Sequence, residues 1–330
     1  MFRIFMTAFF SVCLTFPLWA NSRPILNIYT YSSFISEWGP GAAIKQLFEA
    51  QCDCQIKYTA FGDGVTILNR LKLEVARSKA DVIIGLDNNL ITATRQADLV
   101  QPHHIAPFAH QQLDWWDPLF IPYDYGYFAF VYNRDKIANP PQSMQALLTS
   151  PEAWKIVYQD PRTSTPGLGL LLWIQALYGE QSHQAWQQLA TKTLTITKGW
   201  SEAYSLMLKG EADFVLSYDT SPAVHLMNDH DDRFVSAKFS EGHYQQIEVA
   251  AITKTTQQLT LAQQFLAFLG QPEVQRVIAT KNIMHPVIDI ELPAAFKQLI
   301  TVDKTLRLPP EAIEAHRKQW IALWQSSVSD

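Results

Sequence analysis

The sequence predicts an α/β protein of two lobes that binds a ligand beyond the carboxyl ends of its strands, on three observations. A chain of 330 residues is longer than one hydrophobic core usually holds, so two lobes are expected. Segments with strand and helix periodicity alternate, which is typical of α/β layers with mostly parallel sheets. Polar and aromatic loops follow several predicted strands, and open sheets of this kind bind ligands beyond the carboxyl ends of their strands.

The predicted elements begin with a strand over 25–31 and a helix over 42–50, where apolar residues recur at helical spacing. A short apolar run over 80–86 predicts a buried parallel strand. Asn88 is expected to cap the helix that follows, to about Ala97, and 127–132 predicts a strand that crosses between lobes, where strand connections favour a hinge. Further strands are predicted over 155–159, 213–218 and 246–253, and further helices over 168–178, 183–190, 201–209, 258–269, 271–279 and 310–325.

Residues 1–20 have the pattern of an export signal peptide. Arg3 supplies the positive charge, an apolar stretch follows, and Ala20 precedes polar Asn21. About 16 apolar residues are short for a membrane span. Cys52 and Cys54, which remain after export, are interpreted as a small disulfide, with inert thiols as the alternative. The neighbouring sequence offers neither further metal ligands nor a group that would activate a thiolate.

The composition narrows the classes of partner. Hydrophobic residues make up 48% of the chain and charged residues 17%, as in a folded protein. The formal net charge is −5 and no run of Lys and Arg occurs, which argues against nucleic acid and anionic membrane surfaces. Ten tryptophans suit a protein that holds a flat or cationic ligand between aromatic rings.

The most informative segment is 158–169, where a strand runs into a turn rich in hydroxyl groups and glycine before a helix. Ser164 and Thr165 would stand at the helix N-terminus, where free N–H groups and the helix dipole favour an anion. Ordinary N-capping is the alternative. Four segments combine aromatic with polar residues: Tyr31 with 38–41, 122–128, 198–202 and 217–222. They suit stacking on a planar or cationic ring, or they cover the edge of the core.

Two acids are candidates for contact with a positively charged ligand. Asp63 either caps a helix or accepts a hydrogen bond from a ligand amino group, while Gly64 permits close approach. Asp219 either faces a cation or is a solvated loop carboxylate. Motifs of hydrolases, nucleotide-binding loops and zinc proteases are absent from the sequence, and its histidines do not cluster as metal ligands. His103 and His104 are expected in a surface loop, and His285 as a turn residue.

At these residues the chain resembles the periplasmic thiamine-binding proteins, the soluble receptors of thiamine ABC importers. The matching stretches are YTY (29–31), WGPG (38–41), GLDNNL (85–90), DYGYFAFVY (124–132), YQDPRTSTPGLGLLL (158–172), TKGWSEAY (197–204) and SEGHY (240–244). The resemblance implies a two-lobed type II periplasmic binding protein fold with a hinge and an interlobe ligand cleft. It divides the mature chain into one lobe of 21–124 plus 246–285 and another of 125–245 plus 286–330.

The resemblance also implies a function and a site. The expected ligands are thiamine, thiamine monophosphate and thiamine diphosphate, delivered in the periplasm to an inner-membrane ABC permease with its cytoplasmic ATPase. The receptor is expected to be a monomer that carries no cofactor or metal and catalyses no reaction. Asp63 and Gly64 would bind the aminopyrimidine, and Ser164 and Thr165 the hydroxyethyl or phosphate end. The remaining ligand-binding residues would line a cage around the rings: Tyr31, Trp38, Trp200, Tyr218, Asp219, Thr220 and Ser221.

Three positions depart from the family pattern. Ser32 stands where an Asp is usual, Val224 where an aromatic can occur, and Asp219 replaces a neutral residue and would restore the lost negative charge. An enzyme of the thiaminase I type, which shares the fold, is an alternative. It would need a nucleophilic cysteine, and the mature chain has only Cys52 and Cys54. Receptors for iron, through a pair of tyrosines, or for a polyamine are the remaining alternatives.

Overall fold

The computed structural model describes residues 23–329, so the predicted signal peptide lies outside the described residues. The strands are β1 Ile25–Tyr31, β2 Gln55–Phe61, β3 Val82–Asp87, β4 Val100–Gln101, β5 Ile121–Asn133, β6 Ile156–Gln159, β7 Thr193–Thr197, β8 Phe214–Tyr218, β9 Phe234–Ser236, β10 His243–Thr253, β11 His285–Pro286 and β12 Thr305–Leu306. The helices are α1 Gly41–Gln51, α2 Gly64–Glu74, α3 Ile91–Gln96, α4 Met144–Thr149, α5 Thr165–Tyr178, α6 Ser182–Ala190, α7 Trp200–Leu208, α8 Pro222–Asn228, α9 Leu259–Phe268, α10 Pro272–Val277 and α11 Pro310–Ser329. A π-helical turn, Ile278–Asn282, extends α10.

The strands form a mixed sheet in the order β2-β1-β3-β10-β5-β8-β6-β7. β1 pairs in parallel with β2 and β3, and β6 pairs in parallel with β7 and β8. In the middle, β10 runs antiparallel to β3 and β5, and β5 runs antiparallel to β8. The expectation of mostly parallel sheets is therefore wrong at the centre. β5 carries the chain from the first lobe to the second and β10 carries it back, so the two strands must run in opposite directions.

The two crossing strands connect the lobes. We use "first lobe" for the part built on β1, β2 and β3, and "second lobe" for the part built on β6, β7 and β8. β5 spans 13 residues and pairs with β8 of the second lobe, β10 spans 11 residues and pairs with β3 of the first lobe, and the two strands pair with each other. The lobe boundaries expected near residues 124 and 246 fall within β5 and β10 and stay a prediction.

The strands and helices that position the site are largely buried. Every residue of β3 and β10 is buried, because sheet neighbours and helices enclose both strands. Helix α5 is apolar on nearly all sides, and its first ten residues are buried. Helix α11 packs against α6, α5 and α3, and the indole N–H of Trp324 donates to the hydroxyl of Tyr158 at 3.2 Å. Within residues 23–329, no helix combines the length and the apolar character that a membrane span requires.

Several local expectations change in the folded chain. Helix α3 begins at Ile91, and Asn88 instead accepts a hydrogen bond from the Ile247 amide at 2.7 Å, joining two strands. His103 is buried, and its ring Nε2 lies 2.8 Å from the Asp117 carbonyl oxygen, so it is not a surface residue. His285 belongs to β11, which pairs with β5. The expected disulfide is present, joining Cys52 to Cys54 in the turn between α1 and β2.

Candidate ligand-binding cleft

A cavity of about 410 Å³ lies between the two lobes. Small-molecule sites typically have volumes of about 300–1,000 Å³. The first lobe contributes Tyr31 and Asp63 to its wall, and the second contributes Thr165 and Trp200. The segment 280–284, which follows α10, closes a further side. We call this cavity the cleft.

Most of the residues predicted to bind ligand line the cleft. These residues are Tyr31, Trp38, Asp63, Gly64, Thr165, Trp200, Tyr218 and Ser221. Ser164, Asp219 and Thr220 are not among the lining residues, and all three are buried behind the wall. Of the departures from the family pattern, Val224 lines the cleft, whereas the Ser32 hydroxyl donates to the Phe61 carbonyl at 2.7 Å.

The aromatic wall is organised around Trp200, the first residue of α7. Its ring stacks on Tyr204, one turn later, with centroids 4.8 Å apart and planes 24° apart. The indole N–H donates to the Ser217 hydroxyl at 2.7 Å, which fixes the ring orientation. Trp38, from the first lobe, lies 6.0 Å from Trp200 between ring centroids. The second lobe thus presents an aromatic surface of fixed orientation, and the Trp38 indole of the first lobe lies opposite it.

Two helix N-termini face each other across the cleft. Asp63 is the N-cap residue of α2 and Ser164 is that of α5. The Ser164 hydroxyl donates to Asp63 Oδ2 at 2.6 Å, so the two lobes are joined here by a hydrogen bond. Burial raises the pKa of Asp63 to about 7, although hydrogen bonds from Ser164 and from the Trp200 backbone oppose the rise. The predicted anion site therefore faces a carboxyl group.

Glycine is required beside this contact. A Cβ on Gly64 would lie 2.2 Å from the Gly85 carbonyl oxygen and 2.7 Å from Thr165 Oγ1, which is closer than any side chain tolerates. Thr165 Oγ1 is buried without a hydrogen-bond partner in the described structure. Because Thr165 lines the cleft, its hydroxyl is available to a ligand.

Asp219 is used differently from the cation contact expected for it. Its Oδ1 accepts from the Tyr127 amide at 2.8 Å, and its Oδ2 lies 2.7 Å from His285 Nε2. The His285 ring in turn stacks on Tyr125, with centroids 5.1 Å apart. Asp219 thus ties the loop after β8 to β5 and β11 at the base of the hinge.

Three carboxyl groups lie side by side where the strands cross. Glu248 on β10 pairs with Asp87 on β3 and with Asp124 on β5 in the strand register. Glu248 Oε2 accepts from the hydroxyls of Tyr31 at 2.9 Å and Tyr123 at 2.5 Å. None of the ion pairs within residues 23–329 joins these acids to a Lys or Arg. Glu248 is the one of the three that lines the cleft.

The pKa values of these acids reflect that environment. Burial, and then the neighbouring acids, raise the pKa of Asp87 to about 7 and that of Asp124 well above its ordinary value. Burial likewise raises the pKa of Glu248, whose hydrogen bonds from Tyr123 and Tyr31 oppose the rise. The site is thus an aromatic cavity bordered by buried acids with raised pKa values, an arrangement that suits a flat cation.

Residues 39–281 match the family model described as bacterial extracellular solute-binding protein. The chain belongs to this family. The solute-binding protein is 51% identical over 311 residues to the thiamine-binding periplasmic protein of Salmonella typhimurium, an alignment that covers 94% of this chain and 95% of the relative.

Solved structures agree with the assignment. A periplasmic thiamin binding protein superposes on this solute-binding protein with a TM-score of 0.92 and 51% identity, covering 94% of this chain and 98% of that one. A ferric binding protein from Campylobacter jejuni superposes with a TM-score of 0.74 over 92% of this chain and 99% of its own. At 20% identity it shows the shared fold alone. The architecture is the two-lobed type II periplasmic binding protein fold, with a hinge and an interlobe ligand cleft.

Several lining residues of the solute-binding protein are not among those predicted from the sequence. One feature of the sequence could have indicated Glu248, because it is a charged residue within a strand whose pattern otherwise predicts burial. Asn282 donates to Asp124 Oδ2 at 2.8 Å, and Ile283 follows it with a left-handed φ of 56°. That turn is formed by a π-helical segment, for which the sequence has no periodic signature. Within residues 23–329, no group of three or more metal-ligating side chains is found and no cysteine lines the cleft.

Proposed function

We propose that this protein is a periplasmic receptor that binds thiamine, thiamine monophosphate and thiamine diphosphate in the cleft. It would deliver them as a monomer to an inner-membrane ABC permease with its cytoplasmic ATPase, and it would release them chemically unchanged. One observation carries the proposal: a cavity of ligand size joins an aromatic wall to buried acids that lack a Lys or Arg partner within residues 23–329. Thiamine pairs a flat pyrimidine with a permanently cationic thiazolium, so its chemistry matches both features.

The ligand would be held by residues of both lobes. We assign the rings to a cage of Tyr31, Trp38, Trp200, Tyr218 and Ser221, and the aminopyrimidine to Asp63 and Gly64. The hydroxyethyl or phosphate end would meet Thr165, and Ser164 once its bond to Asp63 is broken, at the start of α5, where N–H groups and the helix dipole favour an anion. Asp219 and Thr220 would support the cage from behind. The assignment is consistent with the unpartnered Thr165 hydroxyl that lines the cleft.

Ligand entry would require the lobes to separate. The bond between Ser164 and Asp63 and the contact between Trp38 and Trp200 span the cleft. Hinge motion between the lobes would break both, and closing over the ligand would exclude water and strengthen each polar contact. The names of the relatives support the ligand class and the periplasmic location, because three curated relatives from 46% to 51% identical are called thiamine-binding periplasmic proteins.

Calorimetric titration of the mature protein tests the proposal. Thiamine and its two phosphate esters should each bind with a stoichiometry of one, whereas spermidine and ferric citrate should not compete. Failure of all three thiamine compounds to bind would refute the proposal. Mass spectrometry after prolonged incubation with excess protein should recover thiamine intact. Cleavage at the methylene bridge would instead support an enzyme of the thiaminase I type.

A further inference from the structure

Asp87, Glu248 and Asp124 form a row of acids that has not been assigned a contact with the ligand. The three side chains come from adjacent strands in register, at the crossing between the lobes. Asp124 is fully buried, and its Oδ1 has no hydrogen-bond partner in the described structure. Glu248 alone among them borders the cleft, so it links the ligand space to the buried acids behind it.

The surroundings of Glu248 supply hydrogen bonds rather than positive charge. Tyr31 and Tyr123 donate to Oε2, and the Gln246 side chain donates to Oε1 at 3.1 Å. The polar and titratable groups that face it from the packed elements are Tyr31 on β1, Asp63 at the start of α2, Asp87 on β3, Tyr123 and Asp124 on β5, Tyr218 on β8 and Asn282 in the π-helical turn. Lys281 is the one Lys or Arg that lines the cleft within residues 23–329, and it is exposed.

We propose that Glu248 sets the preference of the cleft for a positively charged ligand, and that capture of a permanent cation expels a proton shared by the carboxyls of Glu248 and Asp124. The inference rests on the proposed function and adds to it a residue and a linked proton. The proton leaves the carboxyl group for solvent buffer, and no covalent bond of the ligand changes. The thiazolium nitrogen carries no proton, so the released proton comes from the protein.

The physical reason is the cost of placing two anions together away from water. Adjacent buried carboxyls cannot both ionise cheaply, so the pair retains a proton near neutral pH. Burial raises the pKa of both groups, the charge of Glu248 raises the pKa of Asp124 further, and the charge of Asp63 raises the pKa of Glu248 further. A cation in the cleft favours the ionised form and lowers these pKa values. Affinity should therefore rise with pH until the free protein has lost the same proton, and should be constant above that pH.

Calorimetry of the wild-type protein measures the proton directly. Thiamine is titrated at pH 7 in buffers of different ionisation enthalpy, and the slope of the observed enthalpy gives the protons released. We expect on the order of 0.5 proton per thiamine at pH 7 and close to none at pH 9, as for a shared carboxyl proton. A slope of zero at pH 7 together with tight binding would overturn the inference and leave the proposed function standing. Absence of binding would refute the function itself.

A pair of ligands of the same shape but different charge tests the role of Glu248. The probe is the neutral thiophene isostere of thiamine, in which carbon replaces the thiazolium nitrogen. In Glu248→Gln, thiamine should bind at least about tenfold more weakly while the isostere changes less than about threefold, as expected for a charge effect. Equal losses for both ligands would indicate a packing role and overturn the inference.

Two further variants complete the test. Glu273→Gln, at an exposed position on α10, is the matched control and should keep the wild-type affinity and proton count. Asp124→Asn removes the repelling neighbour, so Glu248 should ionise more readily and the proton count should fall. An undiminished proton count in Asp124→Asn would contradict the shared proton. The wild-type measurement decides the inference even if a variant fails to fold.

Discussion

Replacing Trp200 with alanine removes the centre of the aromatic wall. Trp200 stacks on Tyr204 with ring centroids 4.8 Å apart and lies 6.0 Å from Trp38 of the first lobe. Its indole N–H also donates to Ser217 at 2.7 Å. The substitution therefore deletes the surface on which the ligand is proposed to stack, while the backbone of α7 can stay in place because alanine favours a helix.

The expected loss combines two effects. A cation over an aromatic face contributes about 0.5–2 kcal/mol. One ring face shielded from water, on the order of 50 Å² at about 25 cal/mol per Å², contributes about 1.3 kcal/mol. The two together amount to roughly 1.8–3.3 kcal/mol, so the dissociation constant for thiamine should rise at least about tenfold.

Calorimetric titration of each variant with thiamine provides the measurement. Trp200→Phe keeps an aromatic face but loses the bond to Ser217, so its affinity should fall between those of the wild type and Trp200→Ala. Trp116→Ala, at a side chain 68% exposed outside the cleft, is the control and should bind normally. Circular dichroism confirms that each variant is folded. An unchanged dissociation constant in folded Trp200→Ala would refute the stacking role.

Three further variants test other parts of the protein. Ser164→Ala should weaken binding of thiamine monophosphate and diphosphate more than that of thiamine, because the start of α5 is assigned to the phosphate end; equal losses in titrations would contradict that assignment. Gly64→Ala should weaken binding of all three ligands at least about tenfold, because its Cβ would meet Gly85 within the first lobe and Thr165 across the cleft; normal affinity would show that neither close approach is needed for binding. Cys52→Ser with Cys54→Ser should lower the free energy of unfolding by at most about 2 kcal/mol, as expected for so short a loop. The same double variant should leave thiamine affinity unchanged, and lost affinity would point to a role for the cysteines in the site.

The local elements were predictable because they depend on neighbouring residues. β1 coincides with its predicted range, and β6 and β8 begin within one residue of theirs. Helix α5 begins at Thr165, three residues before its predicted start, because the first turn is built from residues typical of caps and turns. β2 has no predicted range, although its polar Gln55, Lys57 and Thr59 alternate with Ile56, Tyr58 and Ala60, the pattern of a strand buried on one face.

The partners of individual side chains depended on residues far away in sequence. Ser164 lies 101 residues from Asp63, to which it donates, and Glu248 lies 125 residues from Tyr123. Asp219 was expected beside a cation, yet the fold places it against Tyr127 and His285. No periodic pattern encodes such contacts, because they form only when the strands have crossed between the lobes.

The sequence by itself determined the alternation of strands and helices, the aromatic and hydroxyl-bearing loops and the cysteine pair in its turn. These properties follow from hydrophobic spacing and turn chemistry, which act over a few residues. Only the tertiary structure decided that β5 and β10 run antiparallel, that two helix N-termini meet across the cleft and that three acids share one row. Burial and charge proximity are properties of the assembled sheet, and they raise the pKa values of these carboxyls.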